Sequence, residues 1–180
     1  MLTSYLLSAA FFCASVISEP LALAETPLNL TLEAFAKGQT QISQVQTQVA
    51  ALCKEKNSAA IIQALTDVSS TIKEVSSDTG NLVKLAKASA KENEQKLLQC
   101  LSKFLLKLDV ILTTIAANQD MLSGTKVQIT AFFNQPLDKI IADFMSAQLN
   151  VAGIFYQYKA QLHFSVWEKF GLTFQKRIVN

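Results

Sequence analysis

The sequence of residues 53–100 is CKEKNSAAIIQALTDVSSTIKEVSSDTGNLVKLAKASAKENEQKLLQC, with a cysteine at each end. Apolar residues recur three or four apart after Ser58, which predicts a helix of roughly 30 Å that ends in a turn at Asp78-Thr79-Gly80. A second helix descends from Asn81 over a similar length. The two cysteines then lie at the same height, so the pattern predicts a Cys53–Cys100 disulfide.

The rest of the chain has the same helical spacing. The expected limits of the other helices are Thr31 to Lys54 for the first, Asn81 to about Ile115 for the third and longest, Ser123 or Thr125 to Phe133 for a short fourth, and Pro136 to about Phe170 for the last. We therefore predict an all-α fold. Residues 25–180 form a single domain, an antiparallel bundle of about five helices joined by short turns and held by one disulfide.

An apolar leader precedes this domain. Leu2–Ile17 is apolar apart from one threonine and three serines, and Ala22-Leu23-Ala24 supplies the small residues that a signal peptidase recognises. We predict that residues 1–24 are a signal peptide and that the mature protein is secreted, with cleavage after Ser18 as the alternative. An uncleaved membrane anchor is disfavoured because the apolar run is shorter than the ~20 residues of a bilayer span.

Removal of the leader removes Cys13, and a cysteine pair in an oxidising compartment normally becomes a disulfide. Such a bridge would add about 4 kcal/mol to the free energy of unfolding in the chain-entropy model. Two buried free thiols are the alternative, because a chain of this length can form a core without a covalent link. Asn29-Leu30-Thr31 is an N-glycosylation sequon, so Asn29 is a predicted glycan site.

The last predicted helix is apolar over most of its circumference, because it carries a second apolar stripe rotated by roughly a third of a turn from the first. A helix of this kind is usually central to a bundle. The alternative is that one stripe lines a cavity or an exposed strip for an apolar molecule, a membrane surface or another chain. The residues that we expect to line such a ligand site are Phe155, Tyr158, Phe164 and Trp167.

The sequence offers little for catalysis. His163 is the one histidine, the disulfide would leave no free cysteine, and the chain has no His-Glu-x-x-His, Cys-x-x-Cys or glycine-rich phosphate loop. We therefore expect no catalytic residue, no metal and no cofactor. Sixteen basic and fourteen acidic side chains give a net charge of +2, which is too small to indicate nucleic acid as a partner.

These features predict a secreted, non-enzymatic helical protein that acts as an extracellular interaction, structural or effector module, with association into a homo-oligomer among its expected modes. The alternative is a carrier of a small hydrophobic ligand or lipid beside the aromatic last helix. The partner is then an unidentified protein or a small apolar ligand. A membrane surface is less favoured, because a disulfide between helices would oppose the opening of the bundle.

Overall fold

The computed structural model describes residues 26–174, apart from the side chains of Gln119 and Leu122. The predicted all-α class is confirmed for this part of the chain, which contains six helices: α1 (Pro27–Lys54), α2 (Ser58–Ser89), α3 (Asn93–Ala116), α4 (Gln119–Ser146), α5 (Val151–Gln157) and α6 (Phe164–Lys169). The predicted signal peptide, residues 1–24, lies outside the described residues and stays a prediction.

The first two helices form an antiparallel hairpin. Lys37 of α1 pairs with Glu74 of α2 at 3.2 Å, and Asn57 caps α2 between them in the chain. Gly38 allows the two helices to approach closely, because a Cβ at this position would lie 2.6 Å from a Val75 methyl group. A larger residue at Gly38 would force the Val75 side chain or the helices themselves to shift.

The second hairpin, α3 with α4, stacks on the first so that equivalent helices are parallel neighbours. Gln39 and Gln46 of α1 donate hydrogen bonds to the carbonyls of Cys100 and Lys107 in α3, and both bonds join residues 61 apart in the sequence. Three contacts between α2 and α4 join residues 63 apart. Because these offsets are constant along the helices, each pair runs in the same direction.

The predicted antiparallel bundle is therefore only partly correct. Neighbours within a hairpin are antiparallel, but neighbours between the two hairpins are parallel. α1 packs on α2 and α3, and α2 packs on α4, whereas α3 and α4 touch each other at few points. Residues 147–174, which we call the C-terminal segment, contact both α3 and α4 and fill the space between them.

The predicted turn at Asp78-Thr79-Gly80 is wrong, because α2 continues through it. Thr79 is fully buried and its hydroxyl donates to the Val75 carbonyl at 2.7 Å, within the helix. Gly80 marks a close approach and not a turn, since a Cβ there would lie 3.1 Å from Lys139 Nζ in α4. The chain turns after Ser89, where the Asn93 amide donates to the Ala86 carbonyl at 2.7 Å and pairs one of the free carbonyls at the end of α2.

The predicted boundary before Pro136 is also wrong, because α4 runs unbroken through this residue. Proline lacks the N–H that would bond the carbonyl four residues earlier, here that of Phe132. Ser69 of α2 supplies the missing donor, with its hydroxyl 3.2 Å from the Phe132 carbonyl oxygen. α4 tolerates the proline because a neighbouring helix pairs the carbonyl that the proline leaves free.

The predicted last helix, Pro136 to Phe170, is interrupted by two breaks. Gln148 adopts a left-handed conformation with φ of 58°, and its N–H and that of the next residue bond back to the last turn of α4. This is the Schellman arrangement, which commonly uses glycine. Asn150 then caps α5, and a turn at residues 158–163 separates α5 from α6. Gly171, with φ of 70°, ends α6.

The predicted Cys53–Cys100 disulfide is wrong: both cysteines are free and buried. The α1 residue that contacts the main chain of Cys100 is Gln39. Cys53 lies fourteen residues further along the same helix, which corresponds to ~21 Å, whereas a disulfide needs Cα atoms within about 7 Å. The prediction failed because α2 is longer than expected and α3 runs parallel to α1.

We expect the thiols of Cys53 and Cys100 to resist alkylation in the folded protein. Burial raises the pKa of Cys100 to about 12 and also raises the pKa of Cys53, so the reactive thiolate is scarce at pH 8. Intact mass after N-ethylmaleimide should show no adduct on these residues under native conditions and two in denaturant. A native mass short of two hydrogens, with no adduct in denaturant, would contradict the structure.

The pairing of Ser69 with the Phe132 carbonyl predicts an energetic coupling to Pro136. Ser69→Ala should lower the free energy of unfolding by about 1–2 kcal/mol, because it leaves the partly buried Phe132 carbonyl unpaired. In a Pro136→Ala background the new N–H bonds that carbonyl, so the same serine change should cost less than about 0.5 kcal/mol. Urea unfolding of the four proteins, followed by circular dichroism, measures the coupling. Equal costs in both backgrounds would refute it.

Candidate functional site

Asp109 of α3 fixes the position of the C-terminal segment. Its side chain is 4 % exposed, and its two oxygens accept hydrogen bonds from three donors of that segment. The His163 main-chain N–H and the Trp167 indole N–H both donate to Oδ1, the first at 2.9 Å, and the His163 Nδ1 lies 2.7 Å from Oδ2. A buried carboxylate is costly unless it is paired. Arrangements of the segment that would leave Asp109 without these donors are therefore disfavoured.

The C-terminal segment is also attached to α4 on its other side. Thr130 donates its hydroxyl to the Phe170 carbonyl at 2.5 Å, and the Asn134 side-chain oxygen accepts from the N–H of Thr173 at 3.0 Å. The segment therefore bridges α3 and α4 by polar contacts at both edges. Apolar side chains fill the space between these contacts.

The structure places the four predicted ligand-lining residues in different environments. Trp167 is 1 % exposed and packs edge-on against Phe174, with ring centroids 5.2 Å apart. Phe155 is 7 % exposed and stacks on half-buried Phe164, with ring centroids 5.3 Å apart. Tyr158 is the one of the four that lines an open groove. The four side chains do not converge on one cavity, and three of them form the packed core of the C-terminal segment.

The open groove lies between the first half of α3 and α5, and we call it the α3/α5 groove. Its volume is about 580 Å³. The floor is apolar and contains Leu98, Ile154 and Tyr158. The walls are polar, with Gln95, Gln99 and Ser102 on α3, Asn150, Gly153 and Gln157 on or beside α5, and Lys91, Glu92 and Glu94 at one end. The groove exists because the break at Gln148 lets α5 fold back over α3.

The groove amides are available to a ligand. Gln95, Gln99 and Gln157 make no side-chain hydrogen bond within residues 26–174, and all three are exposed. Asn150 is used differently, because its side-chain oxygen accepts from the Gly153 N–H at 2.9 Å and caps α5. Each free glutamine amide can donate and accept, which is the pattern that a peptide bond also presents.

Other predicted sites lie elsewhere. Asn29 is exposed in the first turn of α1, whereas the sequon threonine, Thr31, is buried and donates to the Pro27 carbonyl at 2.7 Å. The glycan on Asn29 stays a prediction. Within residues 26–174 no three histidine, cysteine or carboxylate side chains converge as metal ligands would. None of the described helices combines the length and the apolar character of a membrane span.

Sequence reasoning missed Asp109 and the groove. The signal for Asp109 was its position directly after Leu108, at the edge of the apolar stripe of α3, where a charge needs a partner. The groove had no sequence signal, because its walls come from residues about sixty apart. Comparison of the chain with protein-family models, with curated proteins and with solved structures gives no match.

Asp109→Asn should loosen the C-terminal segment. An amide keeps the shape but turns a donor toward one of the three N–H groups, so we expect the free energy of unfolding to fall by about 3 kcal/mol. Trp167 is the one tryptophan of the chain, so its fluorescence emission, which should move to longer wavelength, reports on the segment directly.

Asp67→Asn is the matched control, because Asp67 is exposed on α2 and far from the segment in sequence and contacts. It should leave both the emission and the unfolding midpoint unchanged. If the two variants behave alike, Asp109 does not hold the segment in place.

Proposed function

We propose that the protein is an exported, non-catalytic module that binds an extended segment of a partner protein in the α3/α5 groove. The observation that carries this proposal is the groove itself, which combines an apolar floor with unengaged amides on both walls. An interaction module needs a concave, partly apolar surface with a few polar groups that fix orientation, and the groove has this composition.

The dimensions of the groove suit a short stretch of extended chain. Glu94 to Ser102 on α3 is nine residues, and the eight steps between them cover ~12 Å of helix. Three or four residues of extended polypeptide, at about 3.3 Å each, cover that length. Leu98 and Ile154 can then contact an apolar side chain of the partner, and the glutamine amides can pair its N–H and carbonyl groups.

Export is supported by the apolar leader and its small-residue end at Ala22-Leu23-Ala24.

The absence of catalysis is supported by how the reactive side chains are used. The Cys100 thiol is buried and hydrogen-bonded to the Leu97 carbonyl, and its raised pKa makes it a poor nucleophile. The Nδ1 atom of His163 is engaged by Asp109 in holding the C-terminal segment.

The carrier function has weaker support. A carrier would use Phe155, Phe164 and Trp167 to surround its ligand, but these rings pack on one another and on Phe174. A ligand beside Trp167 would have to displace core side chains. Tyr158 can contact a ligand in the groove, but that groove is open to solvent and has amide-rich walls, which suit a polar backbone better than an acyl chain.

Selection of peptides from a displayed random library on the mature protein tests the proposal. We expect enrichment of sequences with an apolar residue flanked by uncharged ones. Leu98→Glu should weaken binding of the selected peptides at least tenfold, about 1.4 kcal/mol, because it places a carboxylate in the apolar floor. Gln99→Ala with Gln157→Ala should weaken it by removing the backbone contacts, and both side chains are exposed, so folding is unaffected.

Val127→Glu is the control for the charge change. Val127 is 73 % exposed on α4 and does not line the groove. This variant should bind the peptides as the wild type does. The proposal fails if no peptide is enriched, or if Leu98→Glu and Val127→Glu, both verified as folded by their thermal unfolding, bind equally well.

A further inference from the structure

We infer that the outer face of α3 binds a linear polyanion of the sulfated or carboxylated polysaccharide class. The residues that point to it are Lys96, Lys103 and Lys107, which we call the basic ridge. Lys96 and Lys103 are exposed and Lys107 is half-buried. This surface is separate from the floor of the α3/α5 groove, so the inference does not depend on peptide binding.

The three lysines follow one line along the helix. They are seven and four residues apart, which keeps them within an arc of roughly 40° at 100° per residue and spreads them over ~16 Å. A straight row of cations on a convex helix matches a linear chain of anionic groups, which can contact each ammonium group in turn.

The charges of the ridge are not neutralised within the protein. Lys96, Lys103 and Lys107 form no ion pair with any residue of the described chain. By contrast, Lys37 pairs with Glu74 at 3.2 Å. The ridge therefore keeps its positive potential for a partner.

Few carboxylates lie near the ridge. Glu92 is exposed four residues before Lys96, at the N-terminal end of the ridge, but forms no ion pair with it. Beyond Glu94, the one acidic residue of α3 is Asp109, which is buried and bonded to the C-terminal segment. Residues 38–53 of α1 carry no charged side chain. That stretch lies beside the ridge, because Gln46 donates to the Lys107 carbonyl at 2.6 Å. Its glutamine, serine and threonine side chains can hydrogen-bond sugar hydroxyls as well as support the helix.

A polysaccharide fits this face better than an anionic membrane does. Stable attachment to a bilayer surface needs apolar side chains that insert beside the basic ones. On α3 the one large apolar side chain with high exposure is Val110, at 49 %. The ridge thus offers charge and hydrogen bonding along a line, without an inserting apolar face.

Binding of heparin, used as the probe polyanion, tests the inference. At 0.15 M NaCl, replacing all three ridge lysines by glutamine should weaken binding at least tenfold. The magnitude of the slope of log K against log salt concentration should decrease by about 2. Each lysine–anion contact releases counterions when it forms, and the variant forms three fewer such contacts. Replacing the three lysines by arginine should retain binding, which separates loss of charge from loss of fold.

The matched control removes the same net charge elsewhere, through glutamine at Lys37, Lys56 and Lys126. This protein should bind heparin within twofold of the wild type. The inference is overturned if the wild type does not bind heparin at 0.15 M NaCl, if both glutamine triples lose affinity equally, or if the wild type binds vesicles of anionic phospholipid but not heparin.

Discussion

The hydrogen bonds that the Asp109 carboxylate accepts are the interactions on which the rest of the surface depends. The carboxylate is buried in α3 and must be paired, and its three donors all belong to the C-terminal segment. Because His163 and Trp167 are held there, the segment closes the space that α3 and α4 leave between them. The placement of α5 beside the first half of α3 follows from the same closure, and with it the groove that half-buried Leu98 and Tyr158 line.

Helical periodicity was sufficient to predict the fold class and the first hairpin, because the spacing of Phe35, Ile42 and Val49 depends on local geometry alone. It misplaced the helix ends where a tertiary contact overrides a local preference. Gly80 suggested a turn, but it is a close approach to Lys139. Pro136 suggested a start, but Ser69 pairs the carbonyl that it frees. Gln148 gave no signal, because a left-handed glutamine is uncommon and depends on the packing of the next residue.

The candidate site was less predictable than the fold. The excess of aromatic residues near the C-terminus was correctly identified, but periodicity could not decide between an exposed strip and a core, and the breaks that fold the segment back make it core. Tyr158 was found, whereas Gln99 and Ile154 were not, because a groove between two elements depends on their relative placement. The predicted Cys53–Cys100 disulfide was wrong for the same reason. Whether two residues lie at the same level of a bundle depends on the lengths and directions of all the helices between them.

The parallel stacking of the two hairpins has a consequence for the order in which the protein folds. The α1–α2 hairpin joins residues close in sequence and can form as soon as it leaves the ribosome. The stacking contacts span 61 to 63 residues, about a third of the chain, so each requires closure of a long loop before it contributes. For a helical protein this is a high contact order, and we expect slower folding than in a bundle of sequential neighbours. The C-terminal segment would dock last, once both α3 and α4 are in place.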